Sequence, residues 1–408
     1  TPLKRVIVHR PDEGIARISP KDAAELLFDD IVHLPNMQEE HDVFTAVLRA
    51  FLGKENVLET HELLAEALGS DEESKQWMIH EIIDYEELPS LCKDILKQLS
   101  NDELAELLIS GYLKKEDYYM FDPIPNFIFT RDTAVVVNDH IVITKAARSA
   151  RFRENFLVRF IFHAHPIFKD ARDNNRLINM NDVDLFPPSK KGDFVCIEGG
   201  DMMIINKDYL LIGCSERTNA YSIKMLKDVL FKKGVVKNVV QVNIPPDRAY
   251  MHLDTIFTYI NSNHTTAFKP IVLEGLSSYV EVHRHTGHST IYSTLEEFIR
   301  AELNSRMKFI WAGDGESPWQ EREQWTDGCN LVTLRPGVAL AYDRNPKTEL
   351  AFKDYGYTVI HARQLLEAFE NGTMKPEDIK NTIITLPSNE LSRARGGSHC
   401  MTCPIERE

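Results

Sequence analysis

The spacing of apolar positions changes along the chain, and the changes divide it. Residues 4–9, Lys-Arg-Val-Ile-Val-His, alternate like an opening strand. From about 38 to 119 the period is helical. Val43, Phe44, Val47, Leu48, Phe51 and Leu52 fall on one face. Leu88, Leu91, Cys92, Ile95, Leu96 and Leu99 fall on another, with Pro89 suited to a first helical turn. A further helix is expected from about 102, carrying Leu104, Leu107 and Leu108. The pattern predicts a mainly α-helical insertion over 38–119, set into a domain formed by 1–37 and 120–408.

From about 120 the rhythm differs. Short apolar strands come in pairs separated by polar turns: 133–137 with 141–145, 202–205 with 209–212, and 331–334 with 338–342, the last around the turn-forming Arg335-Pro336-Gly337. Amphipathic stretches at 152–163 and 220–231 follow two of the pairs. Strand starts also share a feature. Asp132, Asp201, Asp254 and Asp327 each stand just before an apolar run, 69, 53 and 73 residues apart, and Cys400 lies 73 beyond the last. This predicts a ββα-type unit repeated around a centre, each copy delivering one polar residue at a strand start. Radial repetition would let residues distant in sequence meet in one pocket.

Composition narrows the class. The 408 residues are 43% hydrophobic and 27% charged, which fits a globular chain with a sizeable core and excludes wholesale disorder, a collagen-like fibre or a disulfide-dense miniprotein. A net charge of −15 argues against a nucleic-acid surface and suits the gathering of a small cationic substrate. No apolar run approaches the roughly 18–20 residues of a membrane span, and Thr1–Pro11 has no signal-peptide core, so a cytoplasmic protein is expected. Six cysteines are few for this length and are expected as free thiols.

The C-terminal run Arg393-Ala394-Arg395-Gly396-Gly397-Ser398-His399-Cys400-Met401-Thr402-Cys403-Pro404 is the most pointed chemically. Its two glycines allow a tight loop with positive φ and close backbone approach. Cys400 beside Arg393, Arg395 and His399 is expected to be biased toward thiolate. Cys-x-x-Cys at 400–403 leaves a redox pair or half a zinc site open, but no second ligand pair completes a metal centre. A cysteine nucleophile needs a base. Strand alternation would put His252 and Asp254 on one face. Glu198, carried into the double-glycine turn of Glu198-Gly199-Gly200-Asp201, is a candidate to orient a histidine. Asp132 ends the run Asn126–Asp132. One thiol, one histidine and several carboxylates suit a planar guanidinium, which pairs with carboxylates in two-pronged geometry.

Together these segments resemble the arginine deiminases of the guanidine-modifying superfamily. The resemblance also takes in Val8-His9-Arg10-Pro11, Glu216-Arg217-Thr218, Arg322–Gly328 and Tyr342–Asn345. It implies an α/β fold, a five-fold pseudosymmetric propeller of ββαβ units (pentein-type), with an inserted α-helical bundle. It implies hydrolysis of free L-arginine to L-citrulline and ammonia through a cysteine-bound intermediate, without metal or organic cofactor, in a homo-oligomer (dimer or tetramer) that engages neither nucleic acid nor membrane. Residue by residue, Cys400 matches the nucleophile, His252 the general acid and base, and Glu198 its carboxylate partner. Asp132 and Asp254 match the pair that grips the guanidinium. Asn126, Arg217 and Arg151 match contacts to the substrate α-carboxylate, with Arg153 a rival for the last. Phe129 matches a pocket wall, Arg395 a loop arginine that helps set the cysteine, and Asp201 a member of the motif. Ala394 and Ser398 stand where glycines are expected, and 262–320 is longer than expected.

Overall fold

A computed structural model describes all residues of the chain except Asp29 and Ser277. Its architecture is α/β, and five of its sheets share one topology. In the simplest, Ala134–Val137 and His140–Ile143 form an antiparallel hairpin, helix Phe152–Ala164 follows, and Leu177–Asn179 returns parallel to the second strand. The same order recurs in Met202–Asn206, Tyr209–Cys214 and Asn238–Asn243, joined by helix Ala220–Lys233. It recurs in Phe257–Tyr259, His264–Ala267 and Lys308–Trp311. It recurs again in Val332–Arg335, Val338–Tyr342 and Thr382–Leu386. The fifth copy joins the two ends of the chain: Cys403–Arg407 pairs antiparallel with Leu3–Val8, which pairs parallel with Val57–Glu59. A parallel return needs a crossover, and a helix is the usual one.

This topology accounts for the helical period that begins near 38. Helix Leu34–Leu52 is the crossover between Leu3–Val8 and Val57–Glu59, and it buries Phe44, Val47 and Leu48 against Val6 and Val8. The helices Thr60–Leu68, Glu72–Tyr85, Cys92–Lys97 and Asn101–Ser110 form a separate group. Leu64, Met78, Ile79, Leu104 and Leu108 pack there with Phe156 and Phe160 of the crossover helix Phe152–Ala164. The helix expected from Pro89 starts only at Cys92, and Leu91 is 66% exposed rather than on the buried face. Ser100 and Glu103 close a reciprocal capping box that starts the last helix of the group. Within 262–320 the hairpin Tyr279–Arg284 and Ser289–Tyr292 extends the second sheet beyond Asn238–Asn243.

The polar residues that precede the strand pairs sit on turns, not in the strands. Asp132 closes the 3₁₀ turn Thr130–Asp132, Asp201 the turn Gly199–Asp201, and Asp254 lies in Leu253–Thr255. Strand alternation therefore does not place His252 and Asp254, because the segment is a turn and not a strand. The turn at 130–132 packs against that at 199–201, which packs against that at 253–255. Among the described residues no helix is long and apolar enough to cross a membrane.

Leu340 lies fully buried in the central strand of its sheet. Leu340→Ala is expected to cost about 2–5 kcal/mol in denaturant unfolding, from lost burial and the cavity left behind. A cost under about 1 kcal/mol would mean that this strand is not packed as described.

Candidate active site

The three turns and the loop at 395–402 bring a set of buried charges together. Glu198 Oε2 accepts a hydrogen bond from His252 Nε2 at 2.8 Å, and its Oε1 accepts from the Ala147 amide at 3.1 Å. The other ring nitrogen of His252, Nδ1, is 3.8 Å from Asp132 Oδ1. Asp132 is itself engaged on both oxygens: Oδ1 accepts from the Gly200 amide at 3.1 Å, and Oδ2 from Arg151 Nη1 at 2.5 Å. Arg151 also pairs with Glu154 at 2.7 Å and lies 3.7 Å from Glu198.

The double glycine makes this contact possible. A Cβ on Gly199 would lie 2.0 Å from the Arg131 carbonyl oxygen, and one on Gly200 would lie 2.7 Å from His252 Nδ1. Asp201 ties the turn to its neighbour, accepting from the Leu253 amide at 2.9 Å and from the Ser215 hydroxyl at 2.6 Å. It touches none of the other charged groups by hydrogen bond, so its contacts are those of a brace.

Cys400 stands on the other side. Its Sγ is 3.6 Å from Asp254 Oδ2, which also accepts from His399 Nδ1 at 2.8 Å. Asn330 holds the arrangement from below. Its Oδ1 accepts from the Cys400 amide at 3.1 Å, and its Nδ2 donates to the Asp254 carbonyl at 3.0 Å. Arg131 Nε donates to the His399 carbonyl at 3.2 Å, and the Arg131 amide to that of Cys400 at 3.0 Å.

These surroundings reverse one expectation. The cations near Cys400 in sequence are not its neighbours in space. Arg393 pairs with Asp30 and Glu390 at the surface. The guanidinium of Arg395 lies over the Trp325 ring at 3.2 Å. Burial lowers His399 to about 4, leaving it neutral near pH 7. Burial, followed by the charges of Asp254, Asp132 and Asp327, instead pushes the Cys400 thiol well above its ordinary range. The free site therefore holds a thiol. His252 goes the other way. Burial opposes its charge, but Asp132, Glu198 and Asp201 outweigh that and raise it to about 10, so it is a cation near pH 7. Glu198, whose burial is overcome by the His252 contact, falls to about 2.

The glycine expectation changes too. Gly396 and Gly397 do not take positive φ; Arg395 does, at +63°. What the glycines supply is room: a Cβ on Gly396 would lie 2.3 Å from the Phe129 ring, and one on Gly397 2.6 Å from the Asn330 carbonyl oxygen. Ser398 is used rather than merely tolerated. Its hydroxyl donates to the Leu340 carbonyl at 2.7 Å and accepts from the Val332 amide at 3.1 Å.

The remaining candidates separate by direction. Arg151 enters the charge cluster, whereas Arg153 turns toward the helical group, with Nε on the Leu108 carbonyl at 3.0 Å and Nη1 on Glu86 at 2.5 Å. Arg217 is buried, 3.8 Å from Glu198, and its Nε lies 3.9 Å from Glu216 without a hydrogen bond. Asn126 Nδ2 donates to the Leu26 carbonyl at 2.7 Å. Asp254 Oδ1 is buried without a partner, an acceptor open to a ligand. Asp132, Glu198 and His252 offer ligand atoms within 4.8 Å of one another, a spacing a metal ion would accept. The same three groups already balance one another with Arg151. Sequence reasoning missed Asn330, Arg131 and Glu154. Glu154 carried a legible signal, a carboxylate among the apolar positions of a helix; Asn330 and Arg131 carried none.

Residues 24–407 match the family model described as arginine deiminase. The chain belongs to the arginine deiminase family. Membership makes it an arginine-modifying hydrolase acting on C–N bonds. Solved structures share its fold at low identity. The dimethylarginine dimethylaminohydrolase of Pseudomonas aeruginosa, as a mutant complexed with citrulline, is 12% identical, with 99% of this chain and 100% of that one covered and a TM-score of 0.50. The N-terminal domain of ArgZ, an arginine dihydrolase from the ornithine-ammonia cycle in cyanobacteria, is 11% identical, with 99% and 97% covered and a TM-score of 0.52. AgrE in complex with ornithine and NAD+ is 12% identical, with 100% of this chain and 40% of AgrE covered and a TM-score of 0.51.

Glu198→Gln removes the carboxylate that shares a hydrogen bond with His252. The His252 pKa is expected to fall from about 10 by a unit or more, because the cation loses its nearest partner. A histidine titration by NMR measures it, and an unchanged midpoint would contradict the pairing.

Proposed function

We propose that this chain hydrolyses free L-arginine to L-citrulline and ammonia through a covalent bond to Cys400. The observation that carries the reading is the thiol set against Asp254, with the open oxygen of that carboxylate beside it and Asp132 across from it. A substrate guanidinium between Asp254 and Asp132 neutralises the two anions that hold the thiol protonated. The thiol then gives its proton to solvent once the electrophile is bound, and not before. Asp132 meets its ligand with Arg151 already on one oxygen, so substrate binding includes re-pairing there.

The thiolate adds to the guanidinium carbon, forming the S–C bond. Cationic His252 gives its proton to the departing nitrogen, which leaves as ammonia as the C–N bond breaks. Neutral His252 then takes a proton from water and the hydroxide adds to the same carbon; as the S–C bond breaks, the added hydroxyl gives its proton to the departing sulfur, leaving the citrulline carbonyl, the thiol and cationic His252. Glu198 keeps the ring oriented throughout. Arg217, whose buried Nε makes no hydrogen bond, takes the α-carboxylate together with Arg151 and Asn126. Phe129 walls the pocket, Arg395 helps set the loop, and Asp201 braces the turn. No step requires a metal or an organic cofactor.

On the same reading the five sheets are five units of a pseudosymmetric propeller, with the helical insertion confined to Thr60–Ser110 by the crossover role of Leu34–Leu52. The six unpaired cysteines support work in a reducing compartment, the cytoplasm, and the protein is proposed to act as a homo-oligomer.

Incubation of purified protein with arginine, and separately with methylated arginines and agmatine, tests the assignment. Citrulline from arginine at the highest kcat/KM supports it. Ornithine as the product would make the chain a dihydrolase, and preference for methylarginine would overturn the substrate. Cys400→Ser is expected to abolish turnover while keeping arginine binding; retained ammonia release would sink the nucleophile. Arg217→Ala is expected to raise KM for arginine about tenfold or more, with a smaller change in kcat, because it removes a contact to a part of the substrate that does not react.

A further inference from the structure

The segment Arg322–Gly328 stood out in the sequence, and the chemistry above leaves it without a role. In the structure it is the bed on which the cysteine loop lies. Trp325 ends the helix Trp319–Trp325, and its ring is half exposed. The Arg395 guanidinium carbon sits 3.2 Å from that ring's centroid, face on, the geometry of a cation–π contact. Two residues on, Asp327 takes a left-handed backbone, φ +64°, which turns the chain sharply. Its carboxylate is buried, with Oδ2 unpartnered. Arg395 Nη1 is likewise buried and unpartnered, and Asp327 is the strongest opposite charge acting on Arg395. Three residues further on, Asn330 holds the Cys400 amide.

The loop is thus held at two points by one short segment. Arg395, itself at φ +63°, is the entry to the loop; Cys400 is five residues later. Between them Gly396 and Gly397 lack the Cβ atoms that would resist movement, and the Gly396 carbonyl is held only through the Tyr342 hydroxyl at 2.7 Å. Ser398 and His399 are tied further along, to Leu340, Val332 and Arg131, which leaves Arg395 as the hold on the entry to the loop.

We propose that Trp325 and Asp327 form a dock for Arg395, Trp325 by its ring face and Asp327 by its charge, and that this dock sets the position of the Cys400 thiol. Both are positioning residues that touch neither substrate nor sulfur; Trp325 acts through Arg395 alone, so the Trp325 pair carries the alkylation test, whereas the Asp327 charge also bears on the Cys400 thiol directly. The proposal rests on Cys400 being the nucleophile, but its test does not rest on turnover alone.

Displacement of a nucleophile by about 1 Å can cost on the order of 100-fold in rate. Trp325→Ala is therefore expected to lower kcat for arginine about 10- to 100-fold, with KM changed less than about threefold, since the dock does not bind substrate. Trp325→Phe keeps an aromatic face and is expected to recover most of the loss. Asp327→Asn tolerates the left-handed backbone and is expected to reproduce the kcat loss without the KM change. The rate at which iodoacetamide alkylates Cys400, located by mass spectrometry, is read in parallel and is expected to change in Trp325→Ala and return in Trp325→Phe. Unchanged kcat and unchanged alkylation in both Trp325→Ala and Asp327→Asn would overturn the dock. A parent protein inactive on arginine would overturn the assigned reaction instead, and the alkylation comparison would still decide whether the dock sets the thiol.

Discussion

The interaction on which the site depends is the enforced company of charges removed from water. Glu198, His252, Asp132, Arg151 and Glu154 are all buried, and none could be ionised there alone at tolerable cost. They persist because each neutralises another: Glu198 with His252, Asp132 with Arg151, Arg151 with Glu154. Removing one partner of such a pair typically costs about 3–5 kcal/mol, because the other is left buried and uncompensated. The scaffold must therefore hold all of them in register. That demand explains the two glycines at 199–200, the amide of Gly200 on Asp132, and the brace of Asp201 on Leu253.

The same balance sets the two proton states that the proposed chemistry uses. Three carboxylates raise His252 against its burial, so it starts as an acid; burial first, then Asp254 and Asp132, raise Cys400, which starts as a thiol. A cationic substrate entering between the aspartates shifts both in the productive sense. It removes the charge that keeps the proton on sulfur, and it weakens the hold of Asp132 on the imidazolium. On the proposed mechanism the electrostatics tie nucleophile activation to occupancy, which would spare a reactive thiolate from idle exposure to oxidants and alkylators.

Topology explains how five separated stretches supply one site. In each of the five sheets the residue of interest stands one to five positions before the first strand of the hairpin: Asp132 before Ala134, Asp201 before Met202, Asp254 before Phe257, Asp327 before Val332 and Cys400 before Cys403. A turn at the same place in each unit brings these residues to one end of their sheets. In the Asp132, Asp201 and Asp254 copies the turn is 3₁₀. In the last two it is irregular, and those two copies carry the loop and its bed.

Much of this was legible in the sequence. Apolar pairing marked the hairpins at 133–145, 202–212 and 331–342, because strands buried on both faces read as short apolar runs broken by polar turns. The recurrence of a polar residue before each strand marked Asp132, Asp201, Asp254, Asp327 and Cys400. Period alone did not separate the crossover helix Leu34–Leu52 from the helices at 60–110, since both bury one face and differ only in what lies against it. Nor did neighbours in sequence reveal the charge around Cys400. Arg393 and Arg395 are near it along the chain, but the loop turns them onto Asp30 and Trp325, while Asp254 and Asp132 arrive from other sheets. Residue type and order determine which groups are available and where strands and helices form. The proton state of each group depends on burial and on partners that are often distant in sequence, 54 residues for Glu198 and His252 and 146 for Asp254 and Cys400, and only the packed chain decides those.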